Sequence, residues 1–218
     1  MGDGDRDDNK KMKKFVLYTA VFGEAGNSRT HDVITPNVDR FCFTDINIGH
    51  GTYQIKKMDL SHISPMGVRR QRFVKICIPD EIFDNYEYSV YVDRKHPLNV
   101  DFDYYVNTLE SGSDFATREH RYKRRICVYE EGRVCIEGGK GNREEILKQL
   151  DFYRNEGYPV DNGLYATFII FRRHTKRLKE FSHLWWEQIE RFSYRDQISL
   201  PYVAWKYGMK ISLCARVK

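Results

Sequence analysis

YSVYVD, residues 88–93, is a run of aromatic and β-branched side chains that stops on a carboxylate. An unbroken apolar run of this length, rather than an alternating one, is how a strand reads when both faces of its sheet are covered. The same pattern occurs upstream as FVLYTAV at 15–21, closed by Phe22-Gly23, and as RFCFT at 40–44, closed by Asp45. Residues 52–58 alternate like a third strand, and residues 164–171 (LYATFIIF) form another buried one.

Helical stretches lie between these runs. Pro65 opens one in which Val68, Phe73, Ile76 and Cys77 share a face, and residues 100–109 make a short second helix. Residues 114–117 read as a short strand and residues 118–141 as a loop-rich stretch. Asn142 caps a helix running to about Glu156, with Ile146, Leu150 and Tyr153 on one side. Leu178, Phe181, Trp185, Ile189 and Phe192 mark the stripe of a long helix from Thr175, and a last helix runs from Arg195 to before Gly208. Strands that alternate with helices predict an α/β fold with a mainly parallel central sheet flanked by helices.

The 218 residues, 41% hydrophobic and 31% charged, fit one folded domain over residues 14–218 behind a disordered lead-in at 1–13. The longest uncharged apolar stretch, GLYATFIIF at 163–171, is under half of the roughly 20 residues a spanning helix needs, so no membrane span is expected. The charged start carries no apolar core and so no secretory signal, and Arg6 stands where a myristoylation signal wants Ser or Thr. Five cysteines without a CxxC pair point to reduced thiols and a cytoplasmic setting. A net charge of +5 suits an anionic ligand without demanding nucleic acid.

In open α/β sheets, ligands bind beyond the carboxyl ends of the strands, which singles out Gly23, Asp45 and Asp93. A carboxylate in that place either ligates a divalent metal that bridges phosphates or caps the next turn, and Asp93 is open to both readings. Arg69, Arg70, Arg72 and Lys75 gather cations on one helix; they either meet a diphosphate or form a solvated face. The basic runs 118–125 and 172–179 read likewise, although Glu130-Glu131 follows the first and argues for a polar site over a nucleic-acid stripe. Asp196, opening the last helix, is either a general base or, with Ser193, half of a capping box. Trp185 lies on the apolar stripe, which leaves Trp186 as the ring able to stack on a sugar.

Taken in order, FVLYTAVFG, FCFTD, RRQRFVKICIPDEIF, YSVYVD, REHRYKRRICVYEE, QLDFYRNEGYP, GLYATFIIFRRH, WWEQI and YRDQISLPYVAWK resemble a family of nucleotide-sugar glycosyltransferases found in bacterial capsular-polysaccharide loci, plants and large DNA viruses of algae. The resemblance runs from Phe15 to about Lys206. It implies a GT-A fold, a Rossmann-like sandwich binding a nucleoside-diphosphate sugar with Mn2+ or Mg2+ at an Asp-x-Asp type motif, and a chain that can be one domain of a larger enzyme. Carried over, Thr19, Ala20, Phe22 and Gly23 lie against base and ribose, and Asp45 approaches the uridine. Arg69, Arg70 and Lys75 border the donor, Asp93 takes the metal position, His120, Glu130 and Glu131 line the pocket, and Asp196 is the base.

One departure stands out. The usual second oxygen ligand is replaced by Lys95 in Asp93-Arg94-Lys95-His96, and an ammonium cannot ligate a cation. Asp93 then ligates with water and phosphate alone, or His96 or Asp101 substitutes, or Lys95 itself neutralises the leaving diphosphate. The expectation is an inverting, metal-assisted transfer from a UDP-sugar to a glycan hydroxyl; the rival is a non-catalytic nucleotide-sugar or glycan-binding module.

Overall fold

The computed structural model describes residues 13–23, 38–49, 51–94, 100–109, 112–120 and 125–214. Among these, strands β1 (Lys13–Val21), β2 (Asp39–Thr44), β3 (Gln54–Lys57), β4 (Tyr86–Val92), β5 (Phe115–Glu119), β6 (Tyr165–Arg173) and β7 (Ile211–Leu213) form one sheet in the order β3-β2-β1-β4-β6-β5-β7. Only β6 runs against the others: β1 is parallel to β2 and β4, and β5 to β7, while β6 is antiparallel to β4 and β5. The mainly parallel α/β sheet expected from the apolar runs is therefore present.

Helices α1 (Gly67–Cys77), α2 (Asp80–Phe83), α4 (Val128–Glu137), α5 (Arg143–Asn155), α6 (Lys176–Arg191) and α7 (Asp196–Tyr207) supply residues to the core on one face of the sheet. On the other, Phe102 and Tyr105 of α3 (Phe102–Thr108) pack with Leu17, Val90 and Phe171. The alternation of period 2 explains the split within β1, since Val16, Tyr18 and Ala20 face the first core while Leu17 and Val21 face the second.

Four expectations change. Residues 128–137 form α4 rather than a loop, because Val128 and Cys135 supply a buried stripe that the surrounding charges obscure in sequence. Trp186 does not point elsewhere: it is 7% exposed and packs edge-on against Phe73, with ring centres 5.2 Å apart, so it has no face for a sugar. The capping box is absent, since the Ser193 hydroxyl donates to Gln149 Oε1 at 2.5 Å and α7 begins without a side-chain cap. Arg172 is no part of a surface cluster: wholly buried, it donates to the Tyr18 hydroxyl and to the carbonyls of Lys75 (2.8 Å) and Ile76 (3.2 Å), closing the carboxyl end of α1. The helix at Asp80–Phe83 and the strand at Ile211–Leu213 are too short to show a period in sequence.

Candidate functional site

The parallel register brings the carboxyl ends of β2, β1 and β4 to one edge, delivering Asp45, Gly23 and Asp93 side by side. α1 lies against that edge because Gly67 lets it. A Cβ on Gly67 would stand 2.8 Å from the Phe22 carbonyl carbon and 2.9 Å from Gly23 Cα, closer than backbone tolerates. The junction is fixed by Asp45, whose Oδ1 accepts the Gly23 amide at 3.0 Å while Oδ2 pairs with Arg70 at 3.0 Å.

Deeper on the edge, Asp93 Oδ1 accepts from the Tyr91 hydroxyl at 3.0 Å and Gln71 Nε2 at 3.3 Å, and stands 3.5 Å from Lys75 Nζ. Lys75 is wholly buried and also lies 2.6 Å from Asp196 Oδ2, which takes Arg72 Nε at 3.3 Å and the Thr167 hydroxyl at 3.0 Å. Burial alone would raise the Asp196 pKa, but Arg72 and Lys75 outweigh it and hold the carboxyl well below the usual range. Two carboxylates and two cations thus alternate, and Lys75 is the link between them.

Thr167 reaches Asp196 because β6 bulges there. Thr117 pairs with Ile170 and Arg118 with Ala166, so residues 167–169 stand opposite no partner on β5. The Thr117 hydroxyl bonds both rims of the bulge, the carbonyls of Ala166 (2.6 Å) and Ile169 (2.7 Å), and the Phe168 carbonyl receives the Asp93 amide at 2.7 Å. Such an irregularity re-aims side chains without ending the strand.

Beside this, at the end of β5, Glu131 from α4 is buried among Arg125 at 2.8 Å, His120 Nε2 at 3.8 Å and Arg195 at 3.8 Å. The structure therefore brings Gly23, Asp45, Arg70, Lys75, Asp93 and Asp196 into one continuous row and places His120 and Glu131 at its far end. Thr19, Ala20 and Phe22 are buried in and beyond β1, behind the edge. Arg69 turns away, donating to the carbonyls of Ile189 and Phe192 (2.9 Å) and pairing with Glu145 at 3.1 Å; it closes the end of α6 rather than bordering the row. Glu130 is half-buried on α4, and Lys95 and His96 lie outside the described residues. Sequence reasoning missed Gln71, Tyr91, Thr167 and Arg195; Gln71 and Tyr91 flank known candidates on the same helix and strand, whereas the bulge that recruits Thr167 leaves no sequence signal.

No group of three or more His, Cys, Asp or Glu side chains able to hold a metal occurs among the described residues. Among the described residues the donors to Asp93 converge on Oδ1, and the residues fit a cation held at Oδ2. One carboxylate oxygen completed by phosphates and water is a familiar way to hold Mg2+, so the residues fit a metal shared with a diphosphate ligand rather than one caged by protein.

A mainly parallel sheet with charged groups lined along its carboxyl edge defines the class of α/β domain that takes its ligand at that edge. The family model of the TOD1/MUCI70 glycosyltransferase-like domain matches residues 2–216, and the chain belongs to that family. With the sheet described above, this bears out the expected GT-A type fold. The probable hexosyltransferase MUCI70 of Arabidopsis thaliana is 31% identical over 152 residues, covering 65% of this chain and 26% of the relative, so the chain spans about a quarter of that protein. Mouse xyloside xylosyltransferase 1 superposes with a TM-score of 0.48 at 8% identity, over 92% of this chain and 85% of that one. Core-mannan synthase A of Aspergillus fumigatus, in its Mn/GDP form, gives 0.43 at 10% identity, over 100% and 86%. Among the described residues no helix is long and apolar enough to cross a membrane.

Proposed function

We propose that this glycosyltransferase-like domain transfers a sugar from a UDP-sugar to a glycan hydroxyl, with inversion and with Mn2+ or Mg2+ at Asp93. The observation that carries the reading is the row Gly23, Asp45, Asp93 at the carboxyl ends of three adjacent parallel strands, overlain by the cationic helix α1. Asp45 and the loop at Gly23 supply acceptors and backbone for uridine, and Arg70 is the cation of α1 nearest that loop. A metal, when bound, would neutralise charge on the donor's diphosphate; Asp93 Oδ2 is the protein oxygen for it. Lys95 is the proposed second cation toward the leaving diphosphate, where charge grows most in the transition state.

Asp196 serves here as a positioning residue rather than the base first expected. A carboxylate 2% exposed and held by Lys75 and Arg72 has little affinity for a proton, whereas it is well placed to hold Lys75 against Asp93.

A thermal-shift series with UDP, GDP and CMP sugars, each with Mn2+ and with EDTA, tests the reading, since a ligand that binds only the native state raises its apparent stability. UDP-sugars should give the largest shift and lose part of it in EDTA. Equal shifts for all nucleotides would remove the uridine assignment, and donor bound without any turnover in the presence of glycans would favour a binding module.

A further inference from the structure

A cavity of about 390 Å3 opens beside the row, where β5 ends and β6 begins, walled by Glu119, His120, Arg125, Ile126, Tyr165 and Leu213 among others. It is tied to Asp93 by a short path. Tyr165 on its wall accepts from Gln197 Nε2 at 3.2 Å through its carbonyl, Gln197 follows Asp196, and Asp196 reaches Asp93 through Lys75. β6 alone separates β4, which leads into Asp93, from β5, whose end walls the cavity, so those two strands lie about two spacings, roughly 10 Å, apart.

The wall is mixed in a particular way. Ile126 and Leu213 are 45% and 43% exposed, among the few large apolar side chains left open among the described residues, and both stand on this one cavity. Opposite kinds of group, a carboxylate, an imidazole, a guanidinium and a phenol ring, converge on it. A pocket with apolar sides and a few placed polar groups suits a ligand that has both, and a sugar ring has an apolar C–H face and a rim of hydroxyls.

The imidazole is backed by charge. Glu131, 4% exposed, lies 3.8 Å from His120 Nε2 and is shared with Arg125 at 2.8 Å and Arg195 at 3.8 Å. A carboxylate near a histidine ring offsets part of the charge of the imidazolium that forms when the ring takes a proton.

We propose that this cavity is the acceptor subsite for a glycan hydroxyl and that His120 takes the proton of that hydroxyl. The proposal rests on the UDP-sugar reading above. As the acceptor oxygen bonds to the anomeric carbon, its O–H proton passes to the imidazole; the bond from that carbon to the diphosphate oxygen breaks, and its electron pair leaves with UDP. Glu131 remains charged and offsets the imidazolium, while Glu119 and Arg125 flank the entering ring.

The test uses the full chain with saturating UDP and saturation-transfer NMR on a mixture of methyl glycosides of glucose, galactose, xylose, mannose and rhamnose. At least one glycoside should be saturated by the wild type. Ile126→Trp and Leu213→Trp, at exposed positions, should bind UDP as before and lose that signal at least tenfold. With the glycoside so identified, His120→Ala should release UDP from the donor about 100-fold more slowly, the lower end for a general base, and added imidazole should restore part of the rate. His120→Gln serves if the alanine variant does not fold. A wild type that binds UDP but no glycoside, a signal unchanged in the tryptophan variants, or a folded His120 variant of normal rate or without rescue would each overturn the proposal. Failure to bind UDP at all would instead strike the donor reading.

Discussion

Lys75 on α1 lies 2.6 Å from Asp196 at the start of α7, and neither has contact with solvent beyond a few per cent of its side chain. Two elements far apart in sequence are thus joined by an ion pair that Arg72 and Thr167 complete on one side and Asp93 on the other. Desolvating both charges is costly, so the pair need not add net stability, but removing one member leaves the other buried and unpaired.

Asp196→Asn should therefore cost about 3–5 kcal/mol, read as a lowered urea midpoint. The Asp196 carboxyl sits well below its ordinary value when folded, so its contribution is complete above the unfolded value near 4 and is lost as pH falls through the folded one. The gap between wild type and Asp196→Asn should hold from neutral pH to about 5 and narrow only in stronger acid. A gap that closes near pH 6 would mean the carboxyl is not held by Lys75 and Arg72.

His174 gives a window at higher pH. Burial, aided by Arg172, pushes its pKa down to about 4, and the neutral ring donates from Nδ1 to the Tyr86 carbonyl at 2.6 Å while Nε2 accepts from Ser89 at 2.8 Å. Between its unfolded value near 6.5 and that folded value the unfolded chain binds the extra proton, so stability falls as pH drops from about 6.5 to 4, by an amount on the order of 3 kcal/mol. Chemical denaturation of wild type and His174→Gln across that range should show the slope in the first and not in the second.

Asp93→Ala should leave the fold intact, because Lys75 keeps Asp196 as its partner. Its UDP-sugar affinity should drop in Mn2+ and change little in EDTA, as measured by calorimetry. A variant that kept the metal dependence of the wild type would place the cation elsewhere.

Gly67→Ala should disturb the site through the backbone, since the added methyl meets the Phe22 and Gly23 main chain, which cannot swing aside as a side chain can. Overpacking of this kind typically costs about 1–3 kcal/mol. Thermal unfolding should report that loss, and UDP affinity should fall with it because α1 and the loop at Gly23 part. Unaltered affinity would show that the α1 to β1 contact does not shape the site.

Much of the molecule was legible before any coordinates. FVLYTAV, RFCFT, YSVYVD and LYATFIIF announced buried strands by continuous apolar character, and each of these four overlaps an observed strand. The stripe of Leu178, Phe181, Trp185 and Ile189 fixed α6, because a helix buried on one side must repeat its apolar residues every 3.6 positions. Asp45 and Asp93 stood out because a carboxylate ending a buried strand has to emerge at the sheet's edge. These are local properties, and local periodicity carries them.

The tertiary structure alone decided how charges were assigned. Arg69, Arg70, Arg72 and Lys75 look interchangeable in sequence, yet one closes α6, one fixes Asp45, and two hold Asp196. A charge takes its role from what lies across from it, and those partners come from α5, the end of α6 and the start of α7, more than 70 residues away, and from Asp45 at the end of β2. The bulge that turns Thr167 toward Asp196, and the meeting of His120 with Glu131 beside an open cavity, likewise depend on register and packing between strands and helices. Sequence order specifies which groups exist along the chain; only folding sets the distances, the burial and therefore the electrostatics through which they act.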